Sequence, residues 1–281
     1  MNELERYMFD LNGFIILRGA IPPAVLAEMN TSLDGMRDLE PGGWRGHVHG
    51  HFFETATEGL NLQQIYEAGP AWEYLIDNPA WIDHMKCFVG GEGSFDCAHG
   101  PLFIDENFAS IRGPGEAIGL HSGAVPWTKR GQFYVQGEKF SCGQVNALMA
   151  LNDIGPGDGA TMVIPASHKS NFKHPHFGSH VMAAGEARSV DDVEGAIEVH
   201  LNAGDVLIFV DAICHGSARR VNDGERRIAV YRYGPSWGFF RHPYRPSQAL
   251  MERLTPERRQ IIFPHEKVIS PAGSVSAAVS S

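Results

Sequence analysis

After Ser94 the chain breaks into short β-branched and aromatic runs separated by glycine, proline and asparagine turns. Gln132 to Val135, Gly143 to Asn152, Thr161 to Ile164, Ile197 to Leu201, Val206 to Val210 and Ile228 to Tyr233 each read as a strand, with Phe95 to His99 before them. The punctuation between them is explicit: Gly155-Pro156-Gly157-Asp158-Gly159, Asn202-Ala203-Gly204-Asp205 and Asn222-Asp223-Gly224. The first third follows a helical period. Val25, Leu26, Met29 and Leu33 share one face after Pro23, and Trp81, Ile82, Met85 and Phe88-Val89 do so between Asn78-Pro79 and Gly90-Gly91. A glycine-bounded strand, Phe14 to Leu17, precedes them. Helix returns at Pro246 to Leu254 and after the Thr255-Pro256 cap. The pattern predicts a mainly β fold with flanking helices, a sandwich or barrel of jelly-roll type. No linker or internal repeat divides it, so one domain is expected over residues 1–270, followed by a small, polar, disordered tail at 271–281.

Composition narrows the function. With 281 residues, 43% of them hydrophobic, the chain can bury a large core. A formal charge of −10 and a pI near 5.7 exclude a nucleic-acid polymer as partner, because phosphate backbones require concentrated Lys and Arg. Cys87, Cys97, Cys142 and Cys214 form no C-x-x-C pair and read as reduced, buried thiols of a cytoplasmic protein. No apolar run reaches the ~18 residues of a membrane span, and the opening MNELERYMFD is unlike a signal peptide.

The chemistry concentrates in two histidines and an arginine. His121 follows a Gly-Pro-Gly loop at a strand edge, and His215 is read as ending the strand that carries Ile208 and Val210. Either alone is more simply a buried, hydrogen-bonded histidine. Arg226, eleven residues beyond His215, reverses that reading, because its planar fork suits the distal carboxylate of a dicarboxylic acid. Alternation puts Arg226 on the side of Ile228 and Val230, and Arg227 on the other. Asp211, four residues before His215, is either a metal ligand, an orienting partner of that histidine, or a plain strand-end residue. Arg112, Lys129 and Arg130 flank His121 and are either surface charges or contacts for an anionic substrate. His47, His49 and His51 alternate but lie in a glycine-rich stretch, read as a loop near the mouth of the site. Gly155 to Gly159 lacks the Lys-Ser/Thr of a phosphate-binding loop and reads as a turn.

Several stretches resemble the phytanoyl-CoA dioxygenase family. They are Asp153 to Gly159, Ile164 to Asn171 with its Pro-x-Ser-His-Lys segment, Ala203 to Val206, and His215-Gly216-Ser217 through Arg226-Arg227. The resemblance runs over roughly Phe9 to Pro264. It implies a double-stranded β-helix (a cupin-like jelly roll) with Fe(II) on His121 and His215. It also implies 2-oxoglutarate on Arg226 and Ser217, O2 as the second cosubstrate, Trp127 and Asn107 at cosubstrate-pocket positions, and His168 as a turn-stabilising residue. The departure is Gly123, which stands where the family carries a carboxylate ligand. Aliphatic halogenases of the wider superfamily carry Gly or Ala there and bind chloride instead. The resemblance therefore implies a halogenase that chlorinates an unactivated carbon of a small, anionic molecule of nucleotide type in secondary-metabolite biosynthesis. The alternatives are a hydroxylase of the same family, with Asp211 or water completing the site, and a non-enzymatic jelly-roll binding protein.

Overall fold

The structure is a computed structural model describing residues 1–51, 59–91, 95, 99–124, 128–175, 193–238, 240–241 and 244–264. Its organising element is β14 (Arg226–Pro235), whose alternation sorts two chemistries onto two faces. Arg226, Ile228, Val230 and Arg232 line an internal cavity. Ala229, Tyr231 and Tyr233 are fully buried on the opposite face. There the Tyr231 hydroxyl donates to the Trp72 carbonyl at 2.8 Å, and that of Tyr233 to Leu75 at 2.9 Å, so the sheet is bolted to its covering helices.

The large sheet has eight strands in the order β1 (Phe14–Leu17), β12 (Val206–Val210), β9 (Val145–Ala150), β14, β5 (Leu102–Arg112), β4 (Leu60–Gln63), β3 (Val48–Gly50), β2 (Trp44–Arg45). The small sheet runs β11 (Ile197–Val199), β10 (Thr161–Ile164), β13 (Cys214–Ser217), β6 (Ile118–His121). A hairpin of β7 (Phe133–Gln136) and β8 (Lys139–Cys142) stands apart. Every pairing is antiparallel. The two sheets enclose one cavity between them, as a double-stranded β-helix does.

The helices pack outside the large sheet. They are α1 (Glu3–Asn12), α2 (Pro23–Asp34), α3 (Pro70–Glu73), α4 (Ile82–Val89), α5 (Gln248–Arg253) and α6 (Pro256–Ile262). Their caps follow the sequence signals. Asn2 and Glu5 form a capping box on α1, Ser247 caps α5, and Thr255 caps α6. No helix among the described residues is long and apolar enough to cross a membrane.

Four sequence expectations change. The histidine-rich stretch is the β2–β3 hairpin rather than a loop, and it extends the large sheet at its edge. The longest strand, β5, was not expected at all. His215 does not end the Val206–Val210 strand: the chain turns at residues 211–213 and His215 sits on β13, in the other sheet. The strand-parity argument linking Asp211 to His215 therefore does not apply. Cys142 and Cys214 are buried free thiols, but Cys87 is only half-buried. Cys97, most of the Phe95 to His99 strand and the 271–281 tail lie outside the described residues.

Candidate active site

β6 and β13 are neighbours, and their register sets His121 directly opposite His215. Their ring centroids are 4.3 Å apart. Each ring is fixed through the same atom by the backbone two residues before it. His121 Nδ1 hydrogen-bonds the Gly119 carbonyl at 3.0 Å, and His215 Nδ1 the Ile213 carbonyl at 2.8 Å. A carbonyl only accepts, so both Nδ1 atoms carry the proton and both Nε2 atoms are left as lone-pair donors, the arrangement of metal-ligating imidazoles. Burial lowers the proton affinity of both rings. For His215 burial comes first and the neighbouring His121 second, bringing its pKa to about 3, so the pair is neutral at physiological pH.

The histidines line a cavity of about 270 Å³ between the sheets. At its floor, Arg226 is 4% exposed and donates through Nη2 to Thr161 Oγ1 at 3.1 Å, while its Nε has no hydrogen-bond partner among the described residues. Burial, then Arg112 and Arg220, lower its pKa to about 9, so it is a strained cation suited to an anion. Arg227 points the other way, to Asp34 at 2.6 Å and Glu225 at 3.1 Å, as alternation requires. Ser217 lies beside this floor, opposite Thr161 in the register. Arg112 is no surface charge. It is 1% exposed, lines the same cavity, and is the cross-strand partner of Arg226.

Glu106, Arg232 and Arg241 line the cavity and belong to a network of guanidiniums and carboxylates that Asp211 and Arg130 complete without lining it. Asp211 is reached by Arg130 at 3.3 Å and by Arg232 and Arg241 at 3.4 Å each. Glu106 pairs with Arg232 at 2.8 Å and Arg241 at 3.2 Å. Burial alone would raise the Asp211 pKa, but Arg241, His215, Arg232 and Arg130 together hold it below the usual carboxylate range. Sequence reasoning missed Glu106, Arg232 and Arg241, because the strand carrying Glu106 was not recognised and the arginines lie outside the family segments.

Gly123 has left the strand. Ser122 has φ +66° and Gly123 φ +94°, a left-handed backbone that disfavours a side chain. Gly123 lines a separate, more apolar cavity of about 340 Å³ with Ile164, Phe172 and Cys214. A Cβ built there would lie 4.0 Å from that of Cys214, so space is not the obstacle. Among the described residues, no group of three His, Cys, Asp or Glu side chains could hold a metal.

Other expected residues fall elsewhere. Asn107 faces away from the cavity, on the side of β5 opposite Glu106, Phe108, Ser110 and Arg112, and its Oδ1 accepts from the Tyr66 amide at 3.0 Å. It braces a turn and does not line this cavity. Lys129 is exposed and does not line the cavity. His49 is held by Tyr244 Oη at 2.8 Å against Trp44. His168 Nε2 meets the Asp10 carbonyl at 3.1 Å, tying the Ser167–Lys169 turn to α1. Trp127 lies outside the described residues.

Comparison with known proteins fits this geometry. The dioxygenase ALT11 of Alternaria alternata is 24% identical over 232 residues, covering 79% of this chain and 68% of its own length. Among solved structures, HygX from Streptomyces hygroscopicus with nickel and 2-oxoglutarate bound matches at TM-score 0.66 and 22% identity, over 85% of this chain and 89% of its own. The non-heme alpha-ketoglutarate-dependent epimerase SnoN from nogalamycin biosynthesis matches at TM-score 0.57 and 14% identity, over 83% and 82%. At these identities the two structures establish the shared fold. The family model of phytanoyl-CoA dioxygenase matches residues 9–228, well over half of the sequence. The chain therefore belongs to the phytanoyl-CoA dioxygenase family, enzymes of the non-haem iron, 2-oxoglutarate-dependent class.

Proposed function

We propose that this enzyme halogenates an unactivated aliphatic carbon of a small molecule, using one catalytic domain over residues 1–270. In this reading the Nε2 atoms of His121 and His215 hold Fe(II), and Arg226 with Ser217 holds the distal carboxylate of 2-oxoglutarate. When bound, iron with 2-oxoglutarate and O2 supplies the oxidising power to replace an aliphatic hydrogen, with succinate and CO2 as coproducts. The observation that carries the reading is the fate of the carboxylates. Gly123 has none to offer, and the acidic side chains of Asp211 and Glu106 are each engaged by guanidiniums. That leaves the third protein position to an exogenous anion, and chloride is the natural candidate.

The chain's own residues do three further things. Their carbonyl anchors keep both imidazoles in the metal-ready tautomer. Leu148, Phe209, Ile228 and Val230 keep the middle of the cavity apolar, which limits water around a reacting carbon. Arg232 and Arg241 outnumber Glu106 where they line the cavity, which favours a substrate bearing a carboxylate or phosphate.

Hydroxylation is the second reading. It is favoured by the dioxygenase relative and by Gly123 opening onto the separate cavity. Halide linkage separates the two without knowledge of the substrate. Anaerobic 2-oxoglutarate binding to the Fe(II) protein is titrated in chloride, in bromide and in halide-free buffer. A halogenase shows halide-dependent affinity, and halide affinity depends reciprocally on 2-oxoglutarate. Gly123→Asp abolishes that dependence, although the left-handed backbone makes it costly by about 1–3 kcal/mol. Affinity that ignores halide in the wild type removes halogenation and leaves an oxygen-inserting enzyme.

A further inference from the structure

The floor of the cavity contains a second arginine that no family role accounts for. Arg112 ends β5 directly across from Arg226 and is almost completely buried. Its Nη1 donates to Ser217 Oγ at 2.6 Å, and its Nη2 to the carbonyls of Glu116 at 2.7 Å and Ala218 at 3.0 Å. The fork is therefore fixed from two sides of β13. The glycine turn holds it there as well. Gly159, at φ +74°, would bring a Cβ to 3.1 Å from Arg220 Cβ and 3.2 Å from the Ala218 carbonyl that Arg112 Nη2 also meets, so a side chain there would crowd that acceptor.

The consequence lies in the direction of a proton. A guanidinium has no acceptor, so when it donates to a hydroxyl oxygen, that hydroxyl keeps its own O–H to give elsewhere. Arg112 imposes this on Ser217, and Arg226 imposes it on Thr161, the residue facing Ser217 across the β10–β13 ladder. Each hydroxyl already accepts from a guanidinium and is thereby biased to donate its own O–H to a ligand. The floor becomes a cluster of donors, and the ligand complementary to it accepts only, as a carboxylate does and an amide or alcohol does not.

We propose that Arg112 is a positioning residue for cosubstrate selection. Acting through Ser217, it biases the cavity floor toward donors, and so favours the distal carboxylate of a 2-oxo dicarboxylate. The proposal rests on the reading of Arg226 and Ser217 as the 2-oxoglutarate site.

The test measures anaerobic binding of 2-oxoglutarate and of 2-oxopentanoate, which lacks the distal carboxylate, to the Fe(II)-loaded full chain by calorimetry. Arg112→Met and Ser217→Ala each weaken 2-oxoglutarate by about 10- to 100-fold, the range for hydrogen bonds to charged groups. The double variant is no weaker than the weaker single one. The preference for 2-oxoglutarate over 2-oxopentanoate falls about tenfold or more in Arg112→Met, since binding of the monoacid loses nothing at the floor. A merely structural role would weaken both ligands alike and leave that preference intact, and this result, or additive losses in the double variant, overturns the proposal. If Arg112→Met fails to fold, Arg112→Lys keeps the charge and one donor, and an intermediate fall in the same preference is expected; an unchanged preference overturns it. Arg226→Met separates the underlying reading. If it too binds 2-oxoglutarate like wild type, the site assignment itself is wrong, whereas loss in Arg226→Met with none in Arg112→Met refutes the role of Arg112 alone.

Discussion

Replacing Arg226 by Met should move stability and cosubstrate binding in opposite directions. The guanidinium is 4% exposed, and among the described residues it donates to the neutral hydroxyl of Thr161. Burial and the nearby Arg112 and Arg220 lower its pKa from 12.5 to about 9. Each tenfold change in proton affinity is worth about 1.4 kcal/mol, so holding this charge costs the folded protein on the order of 5 kcal/mol. At pH 7 the group is still protonated, well below either value, so the whole cost is present. An apolar side chain of similar volume recovers part of it, on the order of 1–4 kcal/mol in comparable replacements. The apoprotein should therefore melt several degrees higher than wild type.

Binding should go the other way. If two charge-assisted bonds to the cosubstrate are lost, at about 1.5–3 kcal/mol each, affinity for 2-oxoglutarate falls by about two to four orders of magnitude. Arg227→Met is the register control. It loses ion pairs to Asp34 and Glu225 and the bond to Asn30, and so destabilises by about 1 kcal/mol without touching the cavity. Scanning calorimetry of the apoproteins and anaerobic titration of the Fe(II) forms give both signs. An Arg226→Met protein that melts well below wild type, or an Arg227→Met protein that loses cosubstrate, would refute the argument from burial and alternation.

Two other outcomes follow from buried titratable groups. Asp211→Asn strips three guanidiniums of a shared anion, so the fold should lose about 3–5 kcal/mol, while iron affinity, measured by competition with a chelator, falls only about 10- to 100-fold; complete loss of iron from a folded variant would make Asp211 a ligand. His168 is held neutral, its pKa lowered by burial from 6.5 to about 4, so between those values the unfolded chain binds more protons than the native one. Its contribution is thus present above pH 6.5 and is lost as pH falls toward 4, by about 3 kcal/mol in total. The melting temperature of His168→Gln should accordingly fall less steeply across that window, and parallel profiles for the two proteins would contradict this.

How far the sequence could be read depended on what each strand faces. β10 and β12 are buried on both sides or nearly so, and their apolar runs stood out with correct bounds. β5 was invisible because both its faces carry polar residues. Glu106, Ser110 and Arg112 line the cavity while Asp105 and Asn107 serve backbone amides on the other face, so no period-two pattern survives. Arg226 and Arg227 were separable because a regular strand fixes parity. Asp211 and His215 were not, because the turn at residues 211–213 breaks parity and moves the histidine to the other sheet. The cross-strand pairing of His121 with His215 depends on a register that no local pattern encodes. Asn107 was misplaced by a single position on its strand, which suffices to turn a side chain from the cavity to the helices.

Local charge ties these observations to the proposed chemistry. A site of two histidines and a carboxylate supplies one negative charge to its metal, and here both histidines are neutral and Gly123 supplies none. Asp211 does not make up the difference, because its carboxylate, like that of Glu106, is shared among cations that outnumber the two of them. Arg226 adds a further buried positive charge at the floor, met among the described residues by the neutral hydroxyl of Thr161. In the proposed reading, a dication against the histidines and a dianion on Arg226 leave the site more positive by one charge than a site whose metal also had a carboxylate ligand. In a low-dielectric interior such an excess draws an anion strongly. On the proposed reading, the glycine would do more than vacate a coordination position: it would set an electrostatic demand that a halide meets directly and that water meets only by giving up a proton.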